Sequence, residues 1–346
     1  MPRHIAILTP GFPSDESDTL CIPALQDYVR GVQTLAPELA LSVLTLRYPH
    51  VKGRYRWHGL DVFASNGRQL RYPASVPSWL RLARNFVRVN KSRKVDLLHS
   101  FFLSDCTLLG TMLSRYYEVP HVITLMGRDL QQKSPYRRLL DRSANVVVCV
   151  SHFQANDLPG QQRNVARVIP WGIPTLAMPP GTERDIDILG VGSLTEVKDY
   201  TAFLETVALL KATTGNLKCR IAGEGSQRAM LEELSAALGL QKIVTFEGKV
   251  PRERVLELMS RSRVLLHTSR YESFGIVFTE ALACGTRIVS RAVGIAEPGP
   301  DWAIEDSASA MAEAIRRFLA LPPPAPSFPY PVEQTVRRYQ DLYASL

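Results

Sequence analysis

Cysteine is scarce and scattered. The 346 residues hold five (Cys21, Cys106, Cys149, Cys219 and Cys284), none in a C-x-x-C pair. That argues against a disulfide framework, a zinc knuckle and a dithiol redox centre. Their mostly apolar neighbours predict buried, reduced thiols in a cytoplasmic protein. The seven histidines fall at no metal-ligand spacing, so no metal site is expected. No run approaches the roughly eighteen apolar residues of a membrane span. The apolar stretch in M-P-R-H-I-A-I-L-T-P stops at Pro10, too short for a signal peptide.

Acid is also scarce, but only locally. From Arg47 to Lys94 there are twelve Lys or Arg residues and a single acid, Asp61, in a chain of net charge +8. Such a stretch predicts an anionic partner or a solvated basic face. Within it, a helical wheel puts Trp79, Leu82, Ala83 and Phe86 on one side and Arg81, Arg84 and Arg88 on the other. This is the pattern of a helix lying on an anionic membrane, and equally of a helix packed on its own sheet. The stretch carries no nucleic-acid module, so nucleic acid is not an expected partner.

What is present in quantity is alternation of short apolar runs with helical stretches. Runs at His4–Thr9, Leu41–Leu46, Leu60–Ala64, Val95–His99, His121–Met126 and Asn145–Val150 read as buried strands, with helices at Ile22–Thr34 and Leu103–Tyr117. After a Pro- and Gly-rich segment the pattern restarts. Strands are expected at Ile186–Val191, Cys219–Ala222, Ile243–Phe246, Val264–His267 and Arg287–Ser290. Helices are expected at Tyr200–Lys211, Gln227–Leu238, Arg252–Ser260 and Ser307–Leu319. This predicts α/β architecture with parallel, doubly wound sheets. The domain expectation is 1–170, a linker at 171–184, and 185–330. The helix 331–346, stranded beyond L-P-P-P-A-P-S-F-P-Y-P, is expected to return to the first domain, where its apolar face would be buried.

The most informative stretch is Y-E-S-F-G-I-V-F-T-E-A-L-A-C-G, Tyr271–Gly285. It reads as a turn after a strand, then a helix beginning near Gly275. The free N–H groups at Gly275, Ile276 and Val277 suit a phosphate. Glu272 lies in the turn and Glu280 one turn inside the helix, where it suits a neutral hydroxyl. An N-cap with a solvent-facing Glu is the other reading of the same spacing. In the first half, His99, Arg128 and Asp129 fall at strand ends, as acceptor-side candidates; a hydrogen-bonded structural role is the alternative for His99.

Together these stretches resemble the retaining GT-B glycosyltransferases of family four, over nearly the whole length. V-G-S-L-T-E-V-K resembles that family's diphosphate loop, V-T-F-E-G-K-V its nucleobase loop, and E-S-F-G-I-V-F-T-E its Glu-x7-Glu motif. G-F-P-S, L-H-S-F-F-L-S-D and V-I-T-L-M-G-R-D-L resemble strand ends of its first domain. The resemblance implies two Rossmann-like domains with an interdomain cleft. It also implies transfer of a sugar from a nucleoside diphosphate to an acceptor hydroxyl of a saccharide or glycolipid, by a hexosyltransferase-type enzyme needing neither metal nor cofactor.

On the same resemblance Lys198 and Glu272 are the catalytic candidates. Gly11, Gly192, Ser193, Lys249, Val250, Phe274, Gly275, Ile276 and Glu280 join Lys198 around the donor. Three departures stand out. Ser193 replaces an Arg, Met126 replaces a His, and the stretch after Gly294 is short. Two alternatives therefore remain, a GT-B-fold sugar-nucleotide epimerase and a catalytically weakened nucleotide-sugar-binding subunit. The basic 47–94 region adds the expectation of cell-envelope polysaccharide or glycolipid synthesis, either in the cytoplasm or peripherally on the inner face of the plasma membrane.

Overall fold

The computed structural model describes residues 3–70, 72–131, 134–140, 145–175 and 183–346. It divides into two compact units, Met1–Pro174 with Tyr330–Leu346, and Thr175–Pro329. Half of the expected linker, 176–182, lies outside the described residues.

In the first unit the described residues build an eight-stranded sheet. The strands are β1 (His4–Gly11), β2 (Ala40–Tyr48), β3 (Lys52–Trp57), β4 (Leu60–Ser65), β5 (Leu97–Phe101), β6 (His121–Thr124), β7 (Asn145–Cys149) and β8 (Arg167–Val168). The order is β3-β4-β2-β1-β5-β6-β7-β8, parallel except for the β3–β4 pair. Central strands such as β1 are buried along nearly their whole length, because helices cover both faces. Those helices are α1 (Pro23–Leu35), α2 (Val76–Ser92), α3 (Asp105–Tyr117), α4 (His152–Ala155) and α5 (Gly160–Val165). Pro23 starts α1 where a missing N–H costs nothing. Ser104 caps α3, its hydroxyl accepting from Cys106 N at 3.3 Å.

The basic stretch divides between two elements. Part of it is β3, an edge strand the sequence pattern does not announce. His58 (φ 44°) and Gly59 (φ 76°) close the β3–β4 hairpin, and both occupy the left-handed region that a two-residue turn requires. Lys52, Arg54 and Arg56 keep this edge charged, which discourages pairing with another sheet. Arg54 grips Asp61 with Nε to Oδ1 at 2.9 Å and Nη2 to Oδ2 at 2.7 Å.

The rest is α2. Its Leu82, Phe86 and Val89 are buried against Leu44, Leu46 and Phe63, with Trp79 packed alongside. Of the two readings of this helix, packing on its own sheet is the one observed, and the apolar side is spent on the domain's own core. Arg84, Arg88 and Lys91 remain exposed.

The second unit has six strands among the described residues: β9 (Ile186–Val191), β10 (Cys219–Ala222), β11 (Val244–Gly248), β12 (Ser262–His267), β13 (Arg287–Ser290) and β14 (Trp302–Ile304). All pair in parallel, in the order β11-β10-β9-β12-β13-β14. The helices α6 (Tyr200–Lys211), α7 (Arg228–Ala237), α8 (Arg252–Ser260), α9 (Ile276–Ala283) and α10 (Ala308–Leu319) flank it. The short strand β14 was not expected from the sequence. The sheet reverses direction of growth between β9 and β12. In open α/β sheets the ligand crevice lies at the carboxyl ends of the two strands at such a reversal.

The final helix, α11 (Val332–Ala344), belongs to the first unit. The chain reaches it beside Trp171–Pro174: Ile173 N donates to Tyr330 O and Val332 N to Ile173 O, both at 3.0 Å. A Cβ on Gly172 would stand 2.5 Å from the Pro331 carbonyl, so only glycine permits this approach. Val336, Tyr339 and Tyr343 are buried at 0–2% exposure.

Candidate functional site

At the β9/β12 reversal the second unit gathers its chemistry. After β9, Gly192 opens a loop ending in a single 3-10 turn, Glu196–Lys198. Gly192 adopts φ 149°, and a side chain there would meet Lys198 Cε at 3.5 Å. After β12, residues 268–275 lead into α9. Gly275 caps that helix at φ 85°, and a Cβ on it would strike the Phe278 ring at 2.5 Å. Glycine is therefore required there twice over, by backbone and by space. No side chain caps α9, and the partial positive charge of its N-terminus favours an anion.

Lys198 and Glu272, 74 residues apart, form an ion pair between Nζ and Oε1. His267, the last residue of β12, places Nε2 2.8 Å from the same oxygen. Its ring stands edge-on to Phe278, with centroids 4.9 Å apart. Burial alone would raise the Glu272 carboxyl; the Lys198 ammonium and the His267 hydrogen bond override it and hold it well below the usual carboxylate range. His267 shifts downward because burial disfavours its charged form more than Glu272 favours it.

A second group braces the turn. Asp199 Oδ2 accepts from Arg270 Nε at 3.0 Å and from Arg291 Nη1 at 2.8 Å. Burial opposes ionisation of Asp199, but the two guanidiniums keep its carboxyl below the usual range. Thr268 Oγ1 donates to Lys198 O at 3.0 Å, and Arg270 N to Val197 O at 2.8 Å. The backbone carrying Lys198 is therefore tied directly to the loop carrying Glu272. From behind, Ile295 N donates to Phe274 O at 3.0 Å.

Glu280 is not the solvent-facing residue of the plainer reading. It is 5% exposed, and Arg252 at the start of α8 donates from Nε to its Oε1 at 2.8 Å. Phe274 is buried, Ile276 and Val250 are half-buried, and Ser193 and Lys249 are exposed. His267, Asp199, Arg252, Arg270 and Arg291 were missed from the sequence. Their signal is spatial, since each partner lies on a different loop or helix.

The first unit gives mixed outcomes. The expectation that His99 faces an acceptor fails. His99 is 0% exposed, with Nδ1 2.7 Å from Tyr343 Oη and Nε2 2.7 Å from Thr124 Oγ1. Tyr339 Oη lies 2.8 Å from Thr124 Oγ1 and Tyr28 Oη 2.6 Å from Tyr343 Oη. This buried polar network docks α11, and burial drives the His99 pKa well down, so the ring stays neutral.

Asp129 Oδ2 accepts from Leu103 N and Met126 N, both at 2.8 Å. It ties together the loops after β5 and β6. Burial raises its carboxyl to about 6 against those two bonds. Arg128 is exposed at the tip of its turn. Gly11 ends β1, and a Cβ there would sit 3.4 Å from Cys21 Sγ, an ordinary contact, so close packing does not demand glycine. An unforeseen group, Asp105 with Arg47 Nη2 at 3.2 Å and Tyr136 Oη, stands at the start of α3. Of the cysteines, Cys21 is half-buried and the other four are buried. No described helix is long and apolar enough to cross a membrane.

Residues 179–328 match the family model "Glycosyl transferases group 1", and residues 30–175 match "Glycosyltransferase Family 4". The uncharacterized glycosyltransferase YqgM of Bacillus subtilis is 25% identical over 274 residues, 73% of this chain and 74% of that one. D-inositol 3-phosphate glycosyltransferase of Acidothermus cellulolyticus is 28% identical over 62% of this chain and 55% of its own length. Among solved structures, Anabaena Alr3699/HepE in complex with UDP-glucose superposes with TM-score 0.74 at 17% identity, covering 99% of this chain and all of that one. Sucrose-phosphate synthase from Thermosynechococcus elongatus gives TM-score 0.73 at 19% identity, with the same coverage.

Proposed function

The two lobes belong to glycosyltransferase families, family 4 in the first and group 1 in the second, in a GT-B fold, and on that premise we propose that the chain transfers a hexose from a nucleoside diphosphate to an acceptor hydroxyl with retention of configuration and without a metal. The observation that carries the reading is the ion pair at the sheet reversal that joins Lys198, on the turn after β9, to Glu272, in the turn that opens α9. When the bond from the anomeric carbon to the β-phosphate oxygen breaks, negative charge builds on the departing diphosphate. The Lys198 ammonium and the amides opening α9 are preorganised to stabilise it. Glu272 holds the sugar hydroxyls, Glu280 the ribose and the loop at Lys249 and Val250 the base. The acceptor oxygen bonds to the same face of the anomeric carbon, and its proton passes to the leaving phosphate oxygen, so no strong protein base is required.

The donor class also draws on the Anabaena neighbour, whose structure holds UDP-glucose. A thermal-shift screen against UDP-, GDP- and ADP-sugars tests it. Donor at a hundred times its Kd stabilises the fold by about 2.7 kcal/mol, a rise of several degrees in Tm. A flat response to every donor class would sink the reading. The epimerase alternative predicts isomerised nucleotide-sugar with no acceptor present; the transferase predicts none.

For the acceptor we propose a saccharide or glycolipid of the cell envelope, met at the inner face of an anionic membrane. The support is the exposed set Arg84, Arg88 and Lys91 on α2, with Leu80 53% and Tyr72 74% exposed nearby in sequence. Attraction is then mainly electrostatic, because the Trp79/Phe86 side is occupied. Liposome flotation should show binding that rises with anionic lipid and weakens with salt. Equal flotation with neutral lipid would remove the membrane from this account.

A further inference from the structure

Glu272 has a partner that the proposed reaction leaves without a task. His267 is 4% exposed and closes β12. Its Nε2 and the Lys198 ammonium share one oxygen, Glu272 Oε1. No described residue donates to Oε2, which leaves that oxygen for a ligand.

The two donors differ in kind. Lys198 is a charge on a four-carbon stem, rooted in a three-residue 3-10 turn. His267 is short and wedged on a central strand against Phe278, with its charged form disfavoured by burial. An incoming diphosphate competes with Glu272 for the ammonium and repels the carboxylate. Only the imidazole bond is indifferent to that competition.

We infer that His267 is a positioning residue: its Nε2–H holds Glu272 Oε1 when Lys198 is drawn onto the donor phosphates, so that Oε2 stays aimed at the sugar. The inference rests on the proposed assignment of Lys198 to the diphosphate and Glu272 to the sugar. It also fixes the tautomer, since donation to a carboxylate requires the proton on Nε2.

The test compares His267→Leu, which lacks the donor, with His267→Gln, whose amide nitrogen occupies nearly the same place. Lys198→Ala serves as a control on the underlying reading. His267→Leu should lower kcat by about ten- to a hundredfold, the scale of one hydrogen bond to a charged group. KM for the donor should stay near the wild-type value, and His267→Gln should recover most of kcat.

The acid limb of the kcat profile should also move to higher pH in His267→Leu. A buried carboxyl that has lost a hydrogen bond protonates more readily. The other groups facing Glu272, Lys198 on its turn and Tyr200 on α6, are unchanged in the variant, so the displacement reports the lost bond.

Wild-type kcat and an unmoved acid limb in His267→Leu, with Lys198→Ala crippled, would overturn this inference alone. An active Lys198→Ala would overturn both it and the reading beneath it. Should His267→Leu not fold, His267→Asn takes its place. Its amide is one methylene short of Oε1, and turnover equal to that of His267→Gln would refute the positioning role.

Discussion

Lys198→Ala should lower turnover by about a thousandfold, the upper range for loss of one preorganised donor at a developing oxyanion. Lys198 also has a structural partner, so its loss touches folding as well as turnover. Removing it leaves Glu272, 15% exposed at its side chain, as a largely buried carboxylate with His267 as the one side-chain donor left among the described residues. Breaking such a pair from one side costs about 2 to 4 kcal/mol, less than for a fully buried pair because some water reaches it. A drop in activity could then be mistaken for a drop in folding.

Lys198→Met combined with Glu272→Gln separates the two. Neutralising both partners should restore most of the melting temperature while turnover stays lost. A double variant that regains both would mean that Lys198 serves the fold and not the chemistry. Near-normal turnover of Lys198→Ala at saturating donor would defeat the assignment directly.

The second large effect concerns α11. A chain ending at Pro329 should lose cooperative folding of the first unit while residues 175–329 keep theirs. Truncation strips away Val332, Val336, Tyr339, Leu342 and Tyr343, all buried. Each large buried side chain is worth about 2 to 5 kcal/mol, so together, at about 10 to 25 kcal/mol, they match or exceed the whole stability of an ordinary domain, about 5 to 15 kcal/mol. The losses also orphan polar groups, for His99, Thr124 and Tyr28 keep no hydroxyl partner on α11. Tyr343→Phe isolates that last term and should cost about 1 to 3 kcal/mol. Near-ultraviolet dichroism and two-step urea unfolding read both variants. An unchanged first transition in the truncated chain would show that α11 is an ornament of the lobe and not part of its core.

The sequence makes the interior strands legible and the edges much less so. A central parallel strand is apolar on both faces and appears as a run, as at His4–Thr9 or Val264–His267. Strand β3, Lys-Gly-Arg-Tyr-Arg-Trp, is exposed along most of its length and gives no run to find. Boundaries mattered most at His99. Reading the strand as Val95–His99 placed the imidazole at the end; the strand runs Leu97–Phe101, which puts it in the middle and inside the core. For α2 the wheel was right about which residues share a face, but it could not say whether lipid or sheet lies against them. The Lys198–Glu272 pairing could not come from spacing at 74 residues; only resemblance pointed there. His267, Arg252 and Asp199 had no motif to mark them.

The docking of α11 has a consequence for biosynthesis. Translation delivers β1 before the second lobe and Tyr343 after it, so the opening lobe waits for the entire second lobe before it can be finished. Through that interval Tyr28 on α1 and the imidazole of β5 have no tyrosine hydroxyl to meet. Order of synthesis and order of completion are thus reversed in this polypeptide: the half made later is the first that can close.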